Sequence, residues 1–111
     1  MTEPLPTAVL RVGHVTFDPS LYDAVVVADA ETSTYLVPAI KNLPGLLRWF
    51  SGVSPDGSLS QVSIWDSAER AAQMDHLAVM RVRARADFGA VGVMFTPATA
   101  TYTNYPITWT I

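Results

Sequence analysis

The 111-residue sequence contains no cysteine and only two histidines, His14 and His76. The lack of cysteine excludes disulfides, thiolate metal ligands and cysteine nucleophiles. Any imidazole acid–base step must use His14 or His76, since no other side chain of this type is present. Two histidines without a His-x-Glu or His-x-x-x-His spacing do not make a recognisable metal site, so we expect no protein-bound metal.

Charged residues and long apolar segments are also scarce. Only 15% of the residues are charged and the formal net charge is −3, which disfavours nucleic-acid binding because that needs a basic surface. No apolar run approaches the length of a membrane-spanning helix, and the N-terminus lacks the basic-then-apolar pattern of a signal peptide. These absences predict a cytoplasmic protein that binds neither nucleic acid nor a membrane.

Three common sequence signatures of catalysis or cofactor binding are missing. The chain has no GxGxxG loop, no GxxxxGK loop and no GxSxG segment. Nucleotide binding by a glycine-rich loop and serine nucleophile chemistry therefore have no support. We expect a protein without a resident cofactor.

Apolar and aromatic side chains are abundant instead. Half of the residues are hydrophobic, including three Trp, four Tyr and four Phe. The length fits one domain, residues 1–111, with a loose N-terminal arm at 1–7 and a C-terminal extension at 106–111. So many apolar residues exceed what one small core hides, which predicts a homodimer that buries one face of a sheet.

Periodicity and turn residues predict four strands and two long helices. The strands are expected at residues 8–17, 46–53, 59–65 and 96–105, and the helices at residues 19–41 and 66–89. This β-α-β-β-α-β order is typical of an α+β, ferredoxin-like antiparallel sheet with both helices on one face.

Local signals locate the helix starts and the buried stripes. Asp18 is the expected cap of the first helix, and a capping box of Asp66 and Glu69 is expected to start the second, which has a possible break near His76. The Val25–Val27 run leaves a strand as the alternative there. The predicted buried stripe of the first helix contains Leu21, Val25, Ala28, Thr32, Tyr35 and Ala39.

The aromatic residues come from every predicted element and suggest a pocket for a planar aromatic ligand. Tyr35 belongs to this set, Gln61 and Asn104 could orient a ligand by hydrogen bonds, and Tyr102 could donate a proton. Arg81 shares a helix face with Arg85 and has two interpretations. It either belongs to a solvated, ion-paired face or holds an anionic or phenolate oxygen at the pocket mouth.

Four local features carry a resemblance to a known group of proteins. They are the Pro44-Gly45 break, Trp65 at a strand end, the acidic helix start at residues 66–69, and His76. The chain resembles the antibiotic-biosynthesis-monooxygenase-like group of dimeric α+β barrels over residues 9–105. The resemblance implies homodimers whose sheets close into a barrel, and cofactor-free oxidation of aromatic or polyketide-like substrates by O2.

The same resemblance suggests catalytic residues. Trp65 and His76 are the first choices by motif, and His14 is the other imidazole. Haem degradation is the less similar activity, because the first strand has no Asn and no His follows His76. The competing hypothesis is a non-catalytic ligand-binding or structural homodimer on the same fold.

Overall fold

Alternating side chains in four segments build an antiparallel sheet, seen in a computed structural model that describes residues 7–111. The strands are β1 (Val9–Thr16), β2 (Leu46–Ser54), β3 (Ser58–Trp65) and β4 (Ala100–Pro106). Their spatial order is β2-β3-β1-β4, and every neighbouring pair is antiparallel. With the helices on one face, this arrangement confirms the predicted α+β, ferredoxin-like fold.

The first helix begins where the sequence predicts it. The Asp18 carboxylate accepts a hydrogen bond from the Ser20 backbone N–H at 3.0 Å, and the hydrogen bonds from Ser20 lower the pKa of Asp18. A 3-10 turn (Pro19–Leu21) leads into α1 (Tyr22–Lys41), so the valine run is helical. Tertiary packing overrides its β-branched preference.

The lower half of the α1 stripe differs from the prediction. The buried residues are Val25, Ala28, Thr32, Leu36 and Ile40. Leu36 and Ile40 therefore replace Tyr35 and Ala39, which are only half-buried. The stripe continues at i+4 from Thr32 because two branched aliphatic side chains bury more apolar surface than an alanine and a hydroxyl-bearing ring.

The second helical region is broken into short pieces. It consists of α2 (Ala68–Ala71), a 3-10 turn (Ala72–His76), a π-helix (Val79–Ala84) and α3 (Arg85–Ala90). The break follows His76, where Leu77 is extended. The cap is Ser67 rather than Asp66: its hydroxyl accepts from the Arg70 N–H at 3.2 Å, while Asp66 pairs with the Arg70 guanidinium.

The last strand is shorter than expected at its start. Residues 96–99 form a turn in which the Thr99 hydroxyl donates to the Met94 carbonyl at 2.6 Å and the Thr99 N–H donates to Thr96 at 3.0 Å. These local bonds compete with strand pairing, so β4 begins at Ala100. After Pro106 the extension has no regular structure, and the predicted arm lies outside the described residues except for Thr7.

Over the described residues, the sheet has one face covered by helices and one face without a helix. The covered face packs on the helices through two apolar clusters, one around Trp65, Leu36 and Ile40 and the other around Phe88, Val25 and Val93. The other face is called the open face below. By strand alternation it carries Leu10, Val12, His14, Phe50, Val62, Ile64 and Tyr105, together with the polar or small residues Arg48, Gly52, Ser60, Thr101 and Thr103. Within residues 7–111, no helix has the length and hydrophobicity that crossing a bilayer requires.

Candidate functional site

A half-enclosed cavity of about 100 Å³ lies between the sheet and the broken helical region. Its walls include members of both apolar clusters, such as Met74 and Ala84 from one and Leu59 and Phe88 from the other. The middle of the covered sheet face carries Gly13, Gln61 and Ser63 in place of large apolar residues. Small and polar side chains cannot fill that space, so the core divides and leaves the cavity.

Tyr102 forms the outer part of the sheet-side wall. It is the β4 residue that pairs with Gly13, and a Cβ at Gly13 would lie 3.2 Å from its ring. The absence of a side chain at Gly13 thus allows the ring to lie close over β1. The remaining aromatic lining residues are Trp49, Phe88 and Phe95, and Phe88 meets Phe95 edge-to-face with ring centroids 6.1 Å apart.

Arg11 lies on the cavity wall with only 8% of its surface exposed. One guanidinium nitrogen donates to the Asp75 carboxylate at 2.8 Å, and the Asp75 side chain is about half exposed. The guanidinium carbon lies 5.6 Å from the centroid of the Tyr102 ring. A buried cation on an apolar sheet face is costly unless partners or a ligand compensate for its lost hydration.

Arg85 approaches the same ring from the helical side. Its guanidinium carbon is 5.7 Å from the Tyr102 centroid, and one nitrogen donates to the Tyr102 hydroxyl oxygen at 3.3 Å. Because that oxygen is the acceptor, its own O–H is left to donate to another group. Arg81, from the π-helix, is the third arginine that lines the cavity.

Four of the residues predicted from sequence line the cavity: His14, Gln61, Arg81 and Tyr102. His14 pairs with Ser60 and Thr101 between Gly13 and Val15, so strand alternation directs its side chain to the open face. The other four, Trp65, Tyr35, Asn104 and His76, are not among the lining residues.

Trp65 is a core residue with 0% exposure. Its indole N–H donates to the Ser63 hydroxyl at 2.8 Å, and Ser63 itself lines the cavity. Trp65 thus touches the site only through the side chain that it orients.

Tyr35 connects α1 to α3 away from the cavity. Its hydroxyl donates to Asp87 at 2.6 Å, and the Arg83 guanidinium lies 3.8 Å from its ring centroid. Burial raises the pKa of Tyr35 to about 12, and the hydrogen bond to Asp87 acts in the same direction. Arg83 is therefore engaged on the helix surface, whereas Arg81 and Arg85 line the cavity.

His76 and Asn104 both have exposed side chains. His76 ends the 3-10 turn immediately after Asp75, which does line the cavity. Asn104 pairs with Arg11 across β1 and β4 at the sheet edge.

Sequence reasoning did not select Arg11, Asp75 or Arg85 as site residues. The sequence did contain a signal for Arg11. This charged residue lies on the same face of the first strand as Val9 and Val15, where an apolar residue is expected. The Arg11–Asp75 pair joins residues 64 positions apart and had no signal in the sequence. Among the described residues, no three His, Asp or Glu side chains are grouped as metal ligands.

Solved structures with the same fold include oxygenases. The chain superposes on a monooxygenase from the gene ActVA-Orf6 of Streptomyces coelicolor, in complex with the ligand nanaomycin D, with a TM-score of 0.66 and 17% identity. That alignment covers 96% of this chain and 92% of the other. SnoaB, a cofactor-independent oxygenase from Streptomyces nogalater, gives 0.53 at 14% identity, covering 94% and 96%.

A proposed antibiotic biosynthesis monooxygenase from Caulobacter crescentus has a TM-score of 0.66 at 11% identity, with 96% of this chain and 94% of the other covered. No protein-family profile and no curated protein matches the sequence. At these identities the likeness concerns the fold and not the reaction. The chain therefore has the fold of the antibiotic-biosynthesis-monooxygenase-like structures.

Proposed function

We propose that this protein is a small cofactor-independent monooxygenase-like enzyme that oxidises an aromatic or polyketide-like substrate. The observation that supports the proposal is the cavity between sheet and helices. It combines aromatic walls with a few polar groups, the usual make-up of a site for a planar organic ligand. Structural neighbours include a cofactor-independent oxygenase.

The reaction proposed is oxidation of an acidic C–H group that is conjugated to a ketone through an aromatic ring, with anthrone as the simplest example. Loss of the proton gives an enolate, which transfers electrons to O2 and forms a carbon-bound hydroperoxide after taking up a proton. Loss of water from the hydroperoxide gives the ketone, so anthrone and O2 become anthraquinone and water. The substrate supplies the electrons, and the protein needs only to bind, orient and stabilise charge.

The lining residues have distinct roles in this scheme. Tyr102 and Gln61 would orient the substrate oxygen by hydrogen bonds, because both have polar groups at the cavity wall. Arg81 would stabilise the enolate from the π-helix, because a guanidinium pairs well with an anionic oxygen. The family resemblance suggests His76, with His14 as the other imidazole, as the proton acceptor. Neither side chain is directed into the cavity, so we expect the proton to pass to solvent.

We also propose that the enzyme acts as a homodimer formed through the open face. Phe50 and Tyr105 are about half exposed there, and Val12, Val62 and Ile64 form a continuous apolar centre between them. A second sheet packed against this face would remove the apolar surface from water.

The test is oxygen consumption with anthrone as the substrate. We expect stoichiometric uptake of one O2 per anthraquinone formed, and Tyr102→Phe should lower the rate about 10-fold or more while the protein stays folded. Tyr22→Phe on α1 is a matched control, because Tyr22 is not among the residues that line the cavity. Uptake no faster than in buffer, with anthrone and with its 1,8-dihydroxy derivative, would contradict the proposal.

The competing function is a non-catalytic ligand-binding dimer. One observation favours it: His76 does not line the cavity, and the side chain of His14 is directed to the opposite sheet face. A cavity into which no imidazole side chain is directed has a weaker source of proton transfer. Tight binding of anthraquinone without any oxygen uptake would support this function over the enzymatic one.

A further inference from the structure

Basic residues are concentrated at the cavity to a degree that the whole chain does not predict. The chain carries seven Lys and Arg residues and a net charge of −3. Three of the seven, Arg11, Arg81 and Arg85, line this one cavity, where Asp75 is the single acidic residue among those that the structure describes. Positive charge in a concave, poorly hydrated site attracts anions much more strongly than the same charge on an open surface.

Arg11 is the arginine whose position is hardest to explain by structure alone. The residue is only 8% exposed, yet among the described residues its guanidinium makes one hydrogen bond, from a single nitrogen to Asp75. A guanidinium has five N–H donors, and a buried one is stabilised when more of them are paired. Asp75 also lines the cavity, is about half exposed, and pairs with one guanidinium nitrogen of Arg11.

The Tyr102 ring joins Arg11 to Arg85. Both guanidinium carbons lie within 6 Å of its centroid, at 5.6 and 5.7 Å. The Tyr102 hydroxyl oxygen accepts from Arg85 and keeps its own hydrogen for a further acceptor. Donors from three side chains thus face one region in which, among the described residues, Asp75 is the single anionic acceptor.

We infer that this cavity selects aromatic ligands that carry a carboxylate, and that Arg11 holds this group. The inference rests on the proposed function and adds a substrate class to it: the aromatic substrate is an acid. A carboxylate offers two oxygens that match the planar donor pair of a guanidinium, and the aromatic body fits against Trp49 and Phe88. Asp75 competes with the ligand for Arg11.

The experiment compares 2-naphthoate with its neutral analogue 2-naphthamide in calorimetric titrations. We expect the wild-type protein to bind the acid about 10–100-fold more tightly than the amide, the usual effect of a charge-assisted hydrogen bond. Arg11→Gln and Arg85→Gln should each lose most of that preference. Arg48→Gln is the matched control, because Arg48 stacks on Phe50 outside the cavity and should keep the preference.

The variant Asp75→Asn distinguishes competition for Arg11 from a purely structural role of the Arg11–Asp75 ion pair. Removal of the competing carboxylate should tighten 2-naphthoate binding severalfold and leave 2-naphthamide unchanged. Equal affinity for acid and amide in the wild type would overturn the inference, as would undetectable binding of the acid at millimolar concentration. Weaker 2-naphthoate binding to Asp75→Asn would also count against it.

Two readouts separate this inference from the proposed function. Preferential acid binding without oxygen uptake would leave the ligand class intact and remove the enzymatic proposal. Oxygen uptake with anthrone together with equal binding of acid and amide would leave the enzymatic proposal intact and remove the ligand class. Thermal melting of Arg11→Gln identifies a folding failure, and Arg85→Gln then decides the question, since Arg85 lies at the cavity edge and not in the core.

Discussion

At the scale of single residues, the site depends on a few side chains whose partners are distant in sequence. Arg11 meets Asp75, Tyr102 meets Arg85, and Tyr35 meets Asp87. Each pair joins two different elements, so each also ties the helical layer to the sheet or one helix to another. The first two pairs bear on ligand binding in the cavity, and the third bears on the stability of the protein.

His76 is the first residue to test, because the family resemblance assigns it as the proton acceptor and its side chain is exposed outside the cavity. We expect His76→Gln to keep its turnover with anthrone and to change the free energy of unfolding by less than about 0.5 kcal/mol. Removal of a general base would instead lower turnover roughly 10²–10⁴-fold.

Single-turnover rates and thermal melts of His76→Gln and His14→Gln distinguish these outcomes. A large loss of rate in either variant with an unchanged melting temperature would identify that imidazole as the base.

Tyr35 predicts an alkaline dependence of stability. Its pKa of about 12 in the folded protein lies above the ordinary value of 10.0, so the folded state binds the phenol proton more tightly than the unfolded state. The stabilisation is complete below pH 10 and is lost as the pH rises towards 12. The wild type should therefore lose more stability than Tyr35→Phe between pH 9 and pH 11.

Urea unfolding at these two pH values measures the difference. At pH 9 the variant should be less stable by about 0.5–1 kcal/mol, the contribution of a partly exposed hydrogen bond. Tyr22→Phe on the same helix is the control. The prediction would be contradicted if the free energy of unfolding fell by the same amount between pH 9 and pH 11 in the wild type and in Tyr35→Phe.

At the scale of elements, the irregular second helical region is what opens the cavity. A continuous helix from α2 to α3 would present one regular stripe to the sheet, whereas the 3-10 turn, the break at Leu77 and the π-helix change the angular position of successive side chains. Met80, Arg81 and Ala84 come from the π-helix and all line the cavity. Departures of this kind from α-helical geometry often occur at functional sites.

The β2–β3 hairpin makes a prediction about its turn. Gly57 has a φ of +100°, and a Cβ there would collide with the Phe17 carbonyl and lie 3.0 Å from Pro19. The left-handed conformation alone costs a residue with a side chain about 1–2 kcal/mol. Because the collision adds to this cost, Gly57→Ala should destabilise the protein by more than that amount.

Gly89→Ala is the matched substitution with the opposite expected sign. Gly89 lies within α3, and no atom is within 4 Å of a Cβ added there. The substitution Gly89→Ala should therefore stabilise the protein by about 0.5–1 kcal/mol, because alanine loses less backbone entropy on folding than glycine does. Urea unfolding of both variants measures the difference. Equal stabilities for the two would show that the turn tolerates a side chain.

At the scale of the whole molecule, one sheet face determines the assembly that we propose. Val62 pairs with Val12 on one side and with Phe50 on the other, at the centre of the open face. Val62→Lys should place a charge in the buried interface of the dimer and shift it to monomers. Val27→Lys, on the exposed side of α1, should leave the assembly unchanged.

Light scattering at micromolar concentration measures both variants against the 12.0 kDa mass of one chain. The wild type and Val27→Lys should give about twice that mass and Val62→Lys about that mass itself. A wild-type protein of single-chain mass would contradict the dimer.

The sequence by itself determined the order of elements, the strand alternation and the first helix cap, because these depend on residues close together along the chain. Asp18 before Pro19 and the Pro44-Gly45 break are both local signals. The break after His76 was detectable for the same reason. The fold class followed from this order, since few architectures bury one face of four short strands with two helical segments.

Only the tertiary structure decided the composition of the site. The sequence selected Gln61, Arg81 and Tyr102, which line the cavity, and His14, which borders it while its side chain is directed to the open face. It also selected four residues that do not line the cavity: Trp65, Tyr35, Asn104 and His76. Periodicity assigns a residue to a face, but the position along that face at which two elements leave a gap depends on how they pack. The π-helix shifted the register of the second helical region, and the Arg11–Asp75 pair formed between elements that no local pattern connects.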